Sequence, residues 1–244
     1  MRNVIVTGAS RGLGLAIAQR LAEAGYRVIA VARSESEPLR ALAAASPGTM
    51  PGRVDFRACD LSHIDAIGPF VGELRKEFGQ FYGLINNAGA GTAGVLTLMR
   101  EADMSRLVEL NLLSPIVLTK HVLRSMMVAR AGRVINVASV VAATGYSALS
   151  VYAATKAGLV GFTRSLAREV GPLSITVNAL APGFVATDMT RELGEEQRER
   201  IVRRSALRRM PEAQDVAAAA AFLLSEEASN ITGITLTVDA GSTA

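Results

Sequence analysis

The first 22 residues leave this chain few choices. Asn3-Val4-Ile5-Val6-Thr7 is a short apolar run that reads as a buried strand, Gly8-Ala9-Ser10-Arg11-Gly12-Leu13-Gly14 follows it, and Leu15 to Ala22 continues as an apolar helical run. Strand, glycine turn and helix start form the context that a dinucleotide-binding fingerprint requires. Glycines allow a tight turn and close backbone approach, and the unpaired N–H groups and dipole of a helix start attract a pyrophosphate. The spacing is Gly-x-x-x-Gly-x-Gly, not the Gly-x-Gly-x-x-Gly of many nucleotide sites. Gly8, Ser10, Arg11, Gly12, Leu13 and Gly14 are the candidate cofactor-binding residues; the plainer alternative is a strand–helix connection.

The same alternation continues along the chain. Strand-like runs lie near 3–7, 26–32, 53–57, 83–86, 133–138, 174–179 and 234–238, separated by helical ones. That order predicts an α/β Rossmann-type doubly wound three-layer sandwich, with a seven-stranded parallel sheet and right-handed crossovers. Half of the 244 residues are apolar, enough for helices to cover both faces of a buried sheet. No linker, repeat or low-complexity stretch divides the chain, so residues 1–244 are expected to form one domain.

The second strand ends at Ala32-Arg33-Ser34, where NAD sites usually carry an acidic residue for the ribose 2′-hydroxyl. Arg33 and Arg11 instead suit a 2′-phosphate, which guanidinium binds in a bidentate way. NADP(H) is therefore expected rather than NAD(H); either arginine could also be a solvated surface charge.

Chemistry enters with Tyr152 and Lys156. Four positions apart on a helix, a phenol and an ammonium share one face. Ser139 stands thirteen positions upstream of Tyr152, at the end of the apolar run Val134 to Ala138. A free tyrosine titrates near 10, and a neighbouring cation favours its ionised form. The expectation is that Lys156 lowers the Tyr152 pKa into the range useful for general acid–base work, while Ser139 hydrogen-bonds a substrate oxygen. Taken alone, Tyr-x-x-x-Lys is also an ordinary surface pair.

With Thr7-Gly8-x3-Gly12-x-Gly14, Asp60 in Cys59-Asp60-Leu61, Asn86-Asn87-Ala88-Gly89, Asn111, Ser139, Tyr152-x3-Lys156 and Pro182-Gly183, the chain resembles the short-chain dehydrogenase/reductase family over essentially its whole length. The resemblance implies that Asp60 and Leu61 contact the adenine and that Asn87, Ala88 and Gly89 line the cofactor. It implies that Tyr152 and Lys156 also touch the cofactor, Lys156 through the nicotinamide ribose, and that Asn111 holds a water in a proton relay to Lys156. Pro182, Gly183, Val185 and Thr187 would flank the nicotinamide carboxamide, and residues 184–210 would form a substrate lid. Each has a plainer reading: Asn87 as a brace for the sheet, Asn111 as a backbone partner, Asp60 as a turn residue.

A closer resemblance, to 3-oxoacyl-[acyl-carrier-protein] reductases, rests on Ser139-Val140-Val141, Lys156 to Phe162, Ser165 to Val170, Ala181 to Val185, Thr187 to Thr190 and Ile231-Thr232-Gly233. It implies NADPH-dependent reduction of a 3-oxoacyl thioester, with acyl carrier protein as a partner. The chain departs from that branch in Ala90 to Val95, which lacks a charged Arg-Asp pair, and in Gly171-Pro172-Leu173-Ser174, which lacks a docking arginine. Arg130 matches the other basic docking position. Another small alcohol, sugar or secondary-metabolite ketone as substrate, and a non-catalytic NADP(H)-sensing protein, are the competing readings.

Composition narrows the rest. One cysteine, Cys59, excludes an internal disulfide, and His63 and His121 stand far apart, so no metal site is expected. The first strand begins at residue 3 and no apolar run approaches a membrane span, so a cytoplasmic protein with no membrane partner is expected. Net charge is only +4, but Arg191, Arg198, Arg200, Arg203, Arg204, Arg208 and Arg209 crowd one stretch among Glu192, Glu195, Glu196 and Glu199. This is either a helix face laced with ion pairs or an attractor for an acidic carrier or a coenzyme A phosphate. Aromatics make up only 5% and none interleaves with the arginines, which argues against nucleic acid. Ala154, Gly158, Gly161 and Ser165 form a small-residue stripe suited to close helix approach between subunits; the resemblance implies a homotetramer built on helices 103–129 and 152–170.

Overall fold

In a computed structural model, residues 1–91, 93–185 and 194–244 are described. Seven strands form one parallel sheet in the order β3-β2-β1-β4-β5-β6-β7. They are β1 Asn3–Thr7, β2 Arg27–Ala32, β3 Arg53–Ala58, β4 Phe81–Asn86, β5 Gly132–Val137, β6 Ile175–Pro182 and β7 Thr235–Val238. The expected doubly wound sheet is therefore present. β6 runs three residues beyond its expected end, through Pro182. The missing proline N–H costs nothing at a strand end, and the Pro182 carbonyl accepts from Val140 N at 3.1 Å.

Helices α1 (Gly12–Glu23), α2 (Glu37–Thr49) and α7 (Ala213–Leu224) cover one face of the sheet. On the other lie α3 (Ile64–Phe78), α4 (Glu101–Ala129) and α5 (Ser150–Val170). Each face holds a separate apolar core. Ile17, Leu21, Val28, Leu180 and Leu223 belong to the first, and Ile5, Ile67, Leu84, Leu118 and Val177 to the second, all fully or almost fully buried. Helix α6 (Glu195–Arg204) has no buried residue.

α4 corrects one expectation. Glu101–Ala129 is long and apolar enough to cross a membrane by length and composition. Its second half nevertheless buries Leu118, Val122, Leu123 and Met126 in the core shared with α3, β4 and β5. The apolarity thus has a partner inside the fold. A π turn at Glu109–Leu113 interrupts the helix, which the unbroken periodicity of the sequence does not reveal.

Candidate active site

The chain order reverses between β1 and β4, so a crevice opens at their carboxyl ends, where ligands of doubly wound sheets bind. The glycine turn fills one side of it. A Cβ on Gly14 would lie 2.2 Å from the Gly8 carbonyl oxygen and 2.6 Å from Asn87 Nδ2, and Gly8 has φ +67° with the Ala88 backbone 2.9 Å from any added Cβ. Only glycine fits at either place. Arg11 caps α1 in extended conformation and no side chain caps the first turn, which leaves its N–H groups for an anion. Gly14→Ala should destabilise the protein by roughly 1–3 kcal/mol through overpacking, read by urea unfolding.

Two residues outside the expected set hold this turn. Thr7 Oγ1 accepts from Asn87 N and Ala88 N, both at 2.9 Å, while Asn87 Nδ2 donates to Thr7 O at 2.8 Å. Asn87 is therefore a brace between β1 and β4, as its plainer reading had it. Ser36 caps α2 by accepting from Leu39 N and donates its hydroxyl to the Ser10 carbonyl. Arg11 and Arg33 are exposed, and neither guanidinium forms an ion pair within 4 Å among the described residues. Asp60 closes a turn, its carboxylate accepting from Ser62 N and Oγ; these bonds pull its pKa down, with smaller help from His63 and Arg33. Leu61 is buried beside it.

The structure brings Ser139, Tyr152, Lys156 and Asn111 together. Lys156 is 4% exposed, and its ammonium donates to Val137 O at 2.8 Å, tying α5 to the end of β5. It lies 5.7 Å from the Tyr152 ring centroid. Burial pushes its pKa down from 10.5 to about 8. Tyr152 corrects the expectation of a lowered phenol: burial raises its pKa, opposed by a hydrogen bond from Ser139. The ammonium is engaged by Val137 and stands off the ring, so desolvation dominates.

Asn111 is fully buried in the π turn. Its Oδ1 accepts from Ala90 N and its Nδ2 donates to Ala90 O, both at 2.9 Å. A Cβ on Gly89 would meet Asn111 Oδ1 at 3.1 Å and Lys156 Nζ at 3.5 Å, so loop, helix and lysine converge on one point. At the far side of the crevice, Gly183 packs on Asp239, where a Cβ would lie 2.7 Å from the aspartate Cβ. Asp239 in turn accepts from Gly241 N, Ser242 Oγ, Thr243 N and Thr243 Oγ1, which pins the chain below Pro182-Gly183. Val185 is buried. Thr187, Arg191 and Glu192 lie outside the described residues.

Charge around the site is more paired than the sequence suggested. In α6, Arg200 pairs with Glu196 at 3.1 Å and Arg203 with Glu199 at 3.8 Å, the ion-laced reading of that stretch. Arg130, left-handed at φ 49°, donates to Pro172 O at 3.1 Å. A crevice of about 880 Å³ lies at the opposite end of the sheet, lined by Arg2, Tyr82, Arg133 and Glu226. Both of its arginines pair with Glu226, and it is remote from Tyr152.

A family model described as enoyl-(acyl carrier protein) reductase matches residues 8–243. The chain is 43% identical over 240 residues to the 3-oxoacyl-[acyl-carrier-protein] reductase FabG of Salmonella typhimurium, covering 97% of this chain and 95% of that protein. Its counterpart in Vibrio cholerae is 44% identical over 237 residues, with the same coverage. Among solved structures, a protein from Sinorhizobium meliloti provisionally assigned as a short-chain alcohol dehydrogenase superposes with a TM-score of 0.93 at 33% identity, covering 99% of this chain and 96% of that one. Another, from Agrobacterium tumefaciens and provisionally assigned as a gluconate dehydrogenase, gives 0.94 at 25% identity, covering 100% and 96%. Across the whole sequence and the whole fold, then, the chain belongs to the short-chain dehydrogenase/reductase family of oxidoreductases.

Proposed function

We propose that the protein reduces a 3-oxoacyl thioester to the 3-hydroxyacyl thioester, taking hydride from NADPH. The observation that carries this is the convergence of Ser139, Tyr152 and Lys156 beside a glycine turn built for a dinucleotide, in a chain 43% identical to 3-oxoacyl-[acyl-carrier-protein] reductases. The donor set fits the cofactor: uncapped N–H groups of α1 for a pyrophosphate, exposed Arg11 and Arg33 for a 2′-phosphate, and Lys156 for ribose hydroxyls. When bound, NADPH supplies the hydride that reaches the carbonyl carbon. Ser139 orients the carbonyl oxygen, and Tyr152 gives its proton to that oxygen as charge develops there. A phenol raised by burial holds its proton at neutral pH, the form that reduction needs. Lys156 returns a proton to Tyr152, with Asn111 fixing the loop beside it.

Thioesters of acyl carrier protein are the substrates favoured by the relatives' names, and exposed Arg130 is available to an acidic carrier. The exposed Ala154, Gly161 and Ser165 on α5 support association of copies through this face; Gly158 is covered by Leu112 of the same chain. The family model's description favours a second reading, reduction of an enoyl thioester.

One assay separates these readings. NADPH consumption should be rapid with acetoacetyl thioester and at least a hundredfold slower with crotonyl thioester, simple ketones and sugars. NADH should serve at least tenfold worse in kcat/KM, and Arg11→Ala/Arg33→Ala should erase that preference. Equal rates with NADH sink the cofactor assignment, and crotonyl thioester as the better substrate sinks the ketone.

A further inference from the structure

Thr155 lies inside the Tyr152–Lys156 turn, is 2% exposed, and makes two side-chain bonds. Its hydroxyl donates to the Tyr152 carbonyl at 2.7 Å and accepts from Asn111 Nδ2 at 3.4 Å. The same Asn111 amide holds both backbone groups of Ala90. Ala90 follows Gly89, where an added Cβ would meet Asn111 Oδ1 at 3.1 Å and Lys156 Nζ at 3.5 Å, so this loop passes close to both side chains. A continuous chain of bonds therefore runs from the loop after β4, through Asn111 in the π turn, to the helical turn carrying the phenol and the ammonium.

We propose that Thr155 is a positioning residue: through Asn111 its hydroxyl couples the cofactor loop at Gly89-Ala90 to the turn that presents Tyr152 and Lys156. A residue that only filled space here would need no hydroxyl. Within a helix, a threonine that back-bonds to a carbonyl gains little locally and is mildly unfavourable. The second bond, to a different helix, gives the hydroxyl something to do. Both sides of this link belong to the cofactor site of the preceding reading, on which the proposal rests. Asn111 stays anchored to Ala90 without Thr155, so removing the hydroxyl releases the helix from the loop while leaving the loop fixed.

The test uses Thr155→Val, which keeps the shape, Thr155→Ser, which keeps the hydroxyl, Asn111→Ala, and the Asn111→Ala/Thr155→Val pair. NADPH affinity by fluorescence titration is read without turnover, beside thermal stability. Thr155→Val should weaken NADPH binding about fivefold, the loss of one hydrogen bond, and Thr155→Ser should restore it to within twofold. The double variant should bind no more weakly than Asn111→Ala, because both changes cut one link. Multiplying effects in the pair overturn the coupling, as does a Thr155→Val protein of wild-type affinity whose only change is a lower Tm. If Asn111→Ala fails to fold, the Val and Ser variants still decide. If the chain binds NADPH as described but turns over no ketone, the functional reading fails while the coupling stands.

Discussion

Tyr152→Phe should give a folded protein that binds NADPH within about threefold of wild type and reduces acetoacetyl thioester roughly 10²–10⁴-fold more slowly, the range for loss of a general acid. The substitution removes one oxygen and keeps the ring that lies 5.7 Å from the Lys156 ammonium. Ser139 loses its phenol partner but keeps its place in the turn, where Val141 N donates to its Oγ at 3.4 Å. Packing is thus conserved and the acid is gone. Steady-state kcat beside NADPH affinity makes the comparison. A near wild-type kcat would take Tyr152 out of the proton transfer altogether; a loss confined to affinity would make it a binding residue.

Lys156→Met should abolish turnover and make the cofactor-free protein more stable. The buried ammonium has its pKa lowered from 10.5 to about 8. Below pH 8 the folded state holds a proton less readily than the unfolded chain, so this residue subtracts from stability there. The penalty fades as pH rises from about 8 to 10.5. A shift of that size corresponds to about 3 kcal/mol at pH 7. Methionine removes that penalty but strands the Val137 carbonyl, a loss of about 1 kcal/mol, so the net gain is about 2 kcal/mol. Urea unfolding should show this gain at pH 7 and little of it at pH 10. The same titration predicts that wild-type reduction declines as pH rises through about 8, as the relay loses its charge. A stability gain that does not change with pH would show that the buried charge is not its source.

The central strands were legible because each is a short apolar run between breakers, as a sheet buried on both faces demands; the edge strand β3, with Arg53, Asp55 and Arg57, shows that pattern least. The helix between β2 and β3 followed from the same alternation, but its kink at Pro47-Gly48 did not. The site residues could be gathered by resemblance, because their spacing belongs to the family. Their ionisation could not: spacing placed a cation near Tyr152, but only the fold shows that desolvation outweighs it. Thr7, Ser36, Thr155 and Asp239 escaped for a related reason. Thr7, Ser36 and Thr155 bond to a distant segment and Asp239 gathers the turn that follows it, and a hydroxyl or carboxylate in sequence carries no sign of which group it meets.

The π turn at Glu109–Leu113 makes the length of α4 a counted quantity. It carries one residue more than a regular turn would, and each residue of helix rotates all later positions by about 100°. Asn111 sits inside the turn, while Leu118, Val122 and Met126 lie after it. Losing a single residue there would leave two incompatible choices: to keep Asn111 on Ala90 and swing the apolar stripe out toward water, or to keep the stripe and pull the amide out of the site. The phase between Asn111 and Leu118 is therefore what ties the site to the core: one residue gained or lost between them would rotate the stripe by about 100° relative to the amide.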